Sequence, residues 1–300
     1  MTSIAERQNL PASIGLLAAM RHAYTLAKRY RGTRVGVSVG LAVLGPVVVL
    51  VREGVAGWLG AAAGACLAVD RFVLRPFEAS WVRTGAAVQE MFDVDVLDLP
   101  WNDAKGQQPT PMKVSGLTAK HFNTKRQQRE AALLDWYPDT NGLDRPMDVL
   151  LCQQSGLNWH ERLVEEWLTV QQAALFFVLA AGGVIAAAEQ LTLVAYLAGL
   201  LLPSMPAIIE LLDVRDQHGR HRDRVTAALR RVMALLDRAV LDDAVTDSDC
   251  RAIQDTVWDL RAEPHTVPNW YYRLRRASHE LEMTAAAATL KDRVARRRGQ

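Results

Sequence analysis

The chain has 300 residues, with 35 Lys and Arg against 33 Asp and Glu, and the resulting net charge of +2 gives no case for binding DNA. Its mean hydropathy of -0.01 hides a mosaic, because charges are absent from four windows and crowded elsewhere. Cys66, Cys152 and Cys250 stand far apart with no Cys-x-x-Cys or Cys/His spacing, which argues against a disulfide framework or a structural zinc site and reads as three reduced thiols.

Residues 1–34 lack the basic start, short apolar stretch and small-residue cleavage site of a signal peptide, so the first apolar window is expected to insert as its own signal. The segment reads as an amphipathic helix with Ser13 as its cap and Ile14, Leu17, Met20, Tyr24 and Ala27 on one face. Gly32 is expected to close it, and Lys28, Arg29 and Arg31 suit an anionic leaflet.

Residues 35–74 hold the first pair of windows. Val35 to Val51 and Val55 to Val69 are uncharged, the second continuing through Asp70 and Arg71 to Leu74, and only Arg52, Glu53 and Gly54 separate them. Each is long enough to cross a hydrocarbon core, and so short a link makes them antiparallel neighbours. Gly36, Gly40, Gly57, Gly60 and Gly64 give small faces for close helix packing. Asp70 is the acidic residue at membrane depth. It is a gating candidate, and pairing with Arg71 at headgroup level is the simpler expectation.

In the middle segment, 75–166, Phe77 to Phe92 has a helical pattern, whereas the alternation of Val94, Val96, Leu97 and Leu99 suggests a short extended piece. A loop with Gly106, Pro109 and Pro111 follows, then a polar helix from Ser115 to about Leu134, closed by Asp135-Trp136-Tyr137-Pro138. Pro146 starts a helix to about Gln154, and Asn158 reads as the cap of a long helix entering the next apolar window.

Residues 167–209 hold the second pair, Trp167 to Ala188 and Gln190 to Ile209, with Glu189 alone between them. Pro203 and Pro206 interrupt the fourth window and are candidates for a gate or a kink. In residues 210–300, Val225, Leu229, Val232, Leu236 and Ala239 make an apolar stripe, a helix from about Ser248 to Arg261 follows, and a last helix begins near Asn269. Arg and Lys flank one side of all four windows while Arg52 stands alone on the other, so both termini and the middle segment are expected in the cytoplasm. The predicted fold class is an all-α membrane protein with four transmembrane helices in two antiparallel hairpins and a mostly helical cytoplasmic domain. Buried helices of a soluble protein are the alternative, and four windows in two tight pairs argue against them.

Motifs for catalysis are missing: the chain has no Gly-rich phosphate loop, HExxH or GxSxG, and an enzyme is not expected. His218 and His221 have a spacing that could ligate a metal, yet without a third ligand in view a solvated segment is the better reading. No cofactor is expected. Trp270 and Tyr272 followed by Arg273 and Arg276, with Trp136 and Trp159 elsewhere, offer aromatic faces and guanidinium groups that nucleobases and phosphates require. Helix packing combined with headgroup contact accounts for the same residues.

The order of motifs carries further information. Leu17-Ala18-Ala19, Tyr24 and Ala27-Lys28, then Gln89-Glu90, Phe92-Asp93, Val96 to Asn102, Asp135 to Pro138, Cys152-Gln153, Asn158-Trp159, and Val267 to Trp270 with Tyr272 run through nearly the whole chain. In these the chain resembles the SMODS-associating four-transmembrane effector family of bacterial anti-phage signalling systems. The resemblance implies that a partner nucleotidyltransferase makes a cyclic oligonucleotide, that the effector senses it, and that its spans damage the inner membrane, with homo-oligomers as the acting form. Such a ligand can open a pore only by binding one assembly state more tightly than another. A constitutive channel or transporter, or a membrane-anchored scaffold, is the competing expectation.

Overall fold

The computed structural model describes residues 2–51, 56–123, 126–190, 192–197, 202–241, 244–264, 267–272 and 274–275, with scattered positions from 285 to 296. Every regular element among them is helical. They are α1 (Ile4–Gln8), α2 (Pro11–Val51), α3 (Ala56–Val69), a π-helical turn (Asp70–Leu74), α4 (Arg75–Leu97), a 3-10 turn (Asp103–Lys105), α5 (Pro111–Phe122), α6 (Arg126–Ala131), α7 (Met147–Ala188), α8 (Leu193–Tyr196), α9 (Leu202–Val240) and α10 (Asp247–Ala262).

Several expected boundaries move, each for a local reason. Ser13, expected to cap the helix of Ile14 to Ala27, lies inside that helix, since α2 starts at Pro11, and its hydroxyl donates to the Arg7 carbonyl at 2.7 Å, while Ser3 caps the separate short α1 in a capping box with Glu6. Gly32 does not stop α2, because a glycine in a helix interior only weakens it. Thr110 caps α5 with Pro111 at its first position, so that helix starts before Ser115. Asn158 caps nothing, and α7 runs unbroken from Met147 through the expected third span.

The extended piece expected at Asp93–Pro100 is the last turn of α4. Phe92, Asp93, Val96 and Leu97 share one buried helical face, and α4 ends in a Schellman motif. Asp98 takes the left-handed conformation at φ 53° and the Leu99 amide donates to the Val94 carbonyl at 3.0 Å. Arg7 and Arg145 cover the remaining end carbonyls, of Val96 and of Leu97 and Asp98, at 2.9–3.0 Å.

The chain divides into two compact units. The first comprises Met1–Ala27, Ala79–Leu163 and His221–Gln300, and its core joins Leu17 and Met20 of α2, Val88 and Phe92 of α4, Leu150 and Leu151 of α7, Val225, Leu229, Val232 and Leu236 of α9, and Ile253 and Val257 of α10. Gly85 leaves room for the Tyr24 ring, which a Cβ there would meet at 3.1 Å. Cys152 and Cys250 are buried in this unit, and burial pushes both thiols up, Cys250 to about 12.

The second unit comprises Lys28–Glu78 and Val164–Arg220. Here large apolar side chains face outwards: Phe72 is 78 % exposed, Phe177 75 % and Val194 75 %. Among the described residues one helix, α7, is long and apolar enough to cross a membrane, with a mean hydropathy of 1.8 in a window of which 7 % is buried. The expected reverse turn at 52–54 and part of the expected fourth span, 198–201, lie outside the described residues.

Candidate functional site

A helix places positions three apart on one face, and α4 uses this to present Glu90 and Asp93 together to α10. Both carboxylates are buried, 2 % and 0 % exposed, which requires partners for every oxygen. Glu90 accepts from Arg251 at 2.6 Å and from Gln254 at 2.8 Å. Asp93 accepts from the Tyr137 hydroxyl at 2.7 Å, from Gln254 at 2.8 Å and from the Arg261 guanidinium. The Gln254 amide thus gives one hydrogen to each carboxylate, and its oxygen receives Gln153 Nε2 at 3.2 Å. Arg251 also donates to Asp255 at 3.0 Å, so three carboxylates share two guanidinium groups.

The electrostatics follow from this crowding. Burial first, and then the charge of Asp93, push the Glu90 carboxyl up, against the hydrogen bonds from Gln254 and Arg251. The Tyr137 hydroxyl is raised by burial and by Asp93. Burial alone would lower Arg261, and the adjacent Asp93 charge outweighs it, so the guanidinium stays charged.

Several of the motifs that carried the family resemblance meet at this network. Pro100 gives its carbonyl to Arg251 at 2.9 Å, Trp101 packs edge-on to Trp258 at 6.4 Å, and Asn102 both caps the 3-10 turn and donates to Asp255 at 2.9 Å. Tyr137 is pinned by its amide to Gln8 at 2.7 Å, and Gln153 donates to the Cys250 carbonyl at 2.8 Å. Chemically this is a scaffold, with all four carboxylate oxygens engaged.

The aromatic residues singled out in the sequence divide. Trp159 and Tyr272 come together with ring centroids 5.6 Å apart and planes at 49°. Trp270 is 56 % exposed and edge-on to Tyr271. Trp136 instead packs against Phe92 at 6.3 Å with the Arg21 guanidinium 5.6 Å above its ring, as part of the core. Arg273 and Arg276 lie outside the described residues.

Beside Trp159, His160 Nε2 lies 2.7 Å from His221 Nε2, and His221 Nδ1 lies 3.1 Å from Glu263. An ionised carboxylate only accepts, so His221 Nδ1 carries the hydrogen and its Nε2 accepts from His160. Burial holds the His221 imidazole below the ordinary histidine range, partly countered by Glu263. Burial would raise the Glu263 carboxyl, but Arg224 and His221 hold it down. The reading of His218 and His221 as solvated is therefore corrected: both are buried, 1 % exposed. The signal was present, since positions 218, 221, 225, 229 and 232 continue one face of α9. Among the described residues no group of three or more His, Cys, Asp or Glu side chains could hold a metal.

In the second unit, Asp70 pairs with Arg34 of α2 and with Arg75 at 2.7 Å, rather than with its neighbour Arg71, which is exposed. Pro203 and Pro206 both lie within α9 as described, Leu202–Val240.

Comparison with known proteins adds a family. A model described as the SMODS-associating 4TM effector domain matches residues 2–290. A protein of Bacillus cereus (strain VD146) named a probable CBASS effector molecule is 25 % identical over 290 residues, covering 93 % of this chain and 95 % of that protein. No solved structure matches.

Proposed function

The chain belongs to the SMODS-associating 4TM effector family, and from that premise we propose that it is a membrane-permeabilising effector of anti-phage defence, switched on by a cyclic oligonucleotide. Four spans in two hairpins, 35–74 and 167–209, sit in the inner membrane with both termini in the cytoplasm, as the basic flanks favour. The observation that carries this reading is the second unit's surface, where Phe72, Phe176, Phe177 and Val194 face outwards and lipid is the solvent that suits them.

The signal is received in the first unit. Trp159 and Tyr272, with the exposed Trp270, form the aromatic face for a base, and Arg273 and Arg276 follow directly in sequence to meet phosphates. α7 carries Trp159 and the apolar stretch Trp167–Ala188 in one unbroken helix, so a change at the base-binding face reaches the membrane without crossing a loop. Binding that favours an assembled state drives oligomerisation and leakage.

Dye release from liposomes holding the purified protein tests this directly, with and without a panel of cyclic di- and trinucleotides. Leakage that requires a nucleotide and is lost in Trp159→Ala and Tyr272→Ala is the expected result. No nucleotide binding together with no induced leakage would remove the proposal.

A further inference from the structure

α3, the π-helical turn and α4 form one helical path from Ala56 to Leu97, and the turn at Asp70–Leu74 is where its hydrogen-bond ladder changes pitch. Such turns occur mostly as single insertions and often at functional positions, because the ladder can be re-registered there without unwinding the helix. Asp70 is the first residue of this joint. Glu78 lies beyond it, on α4, with its side chain 2 % exposed.

One guanidinium holds both. Arg34 of α2 contacts the Asp70 carboxylate through Nε and the Glu78 carboxylate through Nη1, while Arg75 donates to the other Asp70 oxygen at 2.7 Å. The four charges cancel. Arg34 and Asp70 are 15 % and 17 % exposed, so the pairs are largely shielded from water, and removing Arg34 takes from the buried Glu78 carboxylate the guanidinium that compensates it. Any rotation of α3 about the joint relative to α2 must break or stretch the Arg34 contacts, since the same side chain pins the joint and the helix beyond it.

We infer that Arg34, Asp70, Glu78 and Arg75 form a latch that holds the first hairpin in its non-leaking arrangement, and that permeabilisation requires Arg34 to release Glu78. This rests on the proposed function. The latch is electrostatic and sits at the end of the hairpin rather than in the ligand-receiving unit, so it can be opened without any nucleotide.

The experiment measures dye release from liposomes holding wild type, Arg34→Gln or Glu78→Gln. Both single variants are expected to leak without nucleotide at least about tenfold faster than wild type. Single variants that stay quiet without nucleotide yet leak with it would overturn the latch while leaving the effector reading intact. Wild type and variants that are all silent under every nucleotide would overturn both. Leaking single variants beside a wild type that ignores the whole panel support the latch alone. Spin labels at Arg29→Cys and Arg71→Cys, in a Cys66→Ser chain with the latch untouched, give a second readout independent of variant folding. A distance that is the same in quiet and leaking vesicles would overturn the latch, and a lengthened or broadened one supports it.

Discussion

In the first unit Leu17, Phe92 and Ile253 lie inside, and the buried carboxylates Glu90 and Asp93 survive there because each oxygen has a donor. In the second unit the arrangement is inverted: Phe72 and Phe177 lie outside, and the shielded groups are Arg34, Asp70 and Glu78. The same rule produces both. A side chain faces the solvent it matches, so under the proposed function, with lipid around the second unit, inside and outside exchange, and a hidden charge is tolerated in either unit only when paired.

The comparison breaks most visibly at Asp93. Asp93→Ala strands the Arg261 guanidinium and the Tyr137 hydroxyl in the core and is expected to cost about 3–5 kcal/mol, read as a drop in the thermal unfolding midpoint of the detergent-solubilised protein. Next comes Phe177→Asp, on an exposed position of α7. A lipid-facing site makes it cost about 2.5–3.5 kcal/mol of insertion, seen as loss of the chain from the membrane fraction, whereas a water-facing site would leave fractionation unchanged.

Gln254→Leu sharpens the picture on a smaller scale. It removes the amide shared by the two carboxylates and is expected to cost about 1–3 kcal/mol, with the Glu90 carboxyl titrating higher still by carboxyl-selective infrared or NMR measurement. The smallest effect is at His121, which burial, aided by the charges of Arg129, Arg21 and His22, pushes down to about 4. The unfolded chain therefore binds a proton near pH 6.5 that the native chain refuses. Stability should be full above that pH and fall as pH drops towards 4, and His121→Gln should flatten this limb in a pH series of melts.

Much of the helical plan was legible in the sequence. The stripe Val225, Leu229, Val232 and Leu236 is buried as its spacing predicts, because three- and four-residue recurrence is a property of one helix face and needs no partner to be seen. The end of α4 was misread for a physical reason. Val94, Val96, Leu97 and Leu99 alternate only because a Schellman turn folds Leu99 back towards Val94, and no local pattern separates that from a strand.

The candidate sites were less legible. Asp93 meets Arg261 and Glu90 meets Arg251 across more than 160 positions, and such pairings are set by tertiary packing rather than spacing. Asp70 was singled out for its depth, yet its partner was assigned by adjacency to Arg71, when the wide turn instead leaves it to Arg34 and Arg75. Of the aromatic set, Trp159 and Tyr272 meet, while Trp136 serves the core.

The seclusion of Cys152 and Cys250 bears on redox chemistry. A thiol held above its usual range and sealed from solvent supplies little thiolate for peroxide or disulfide exchange, so an oxidant in water finds neither in the folded chain, and Cys66 lies within the proposed first hairpin. Unfolding releases the other two. The number of thiols that react with an alkylating reagent in whole cells therefore counts the misfolded fraction, without purification and without any assay of activity.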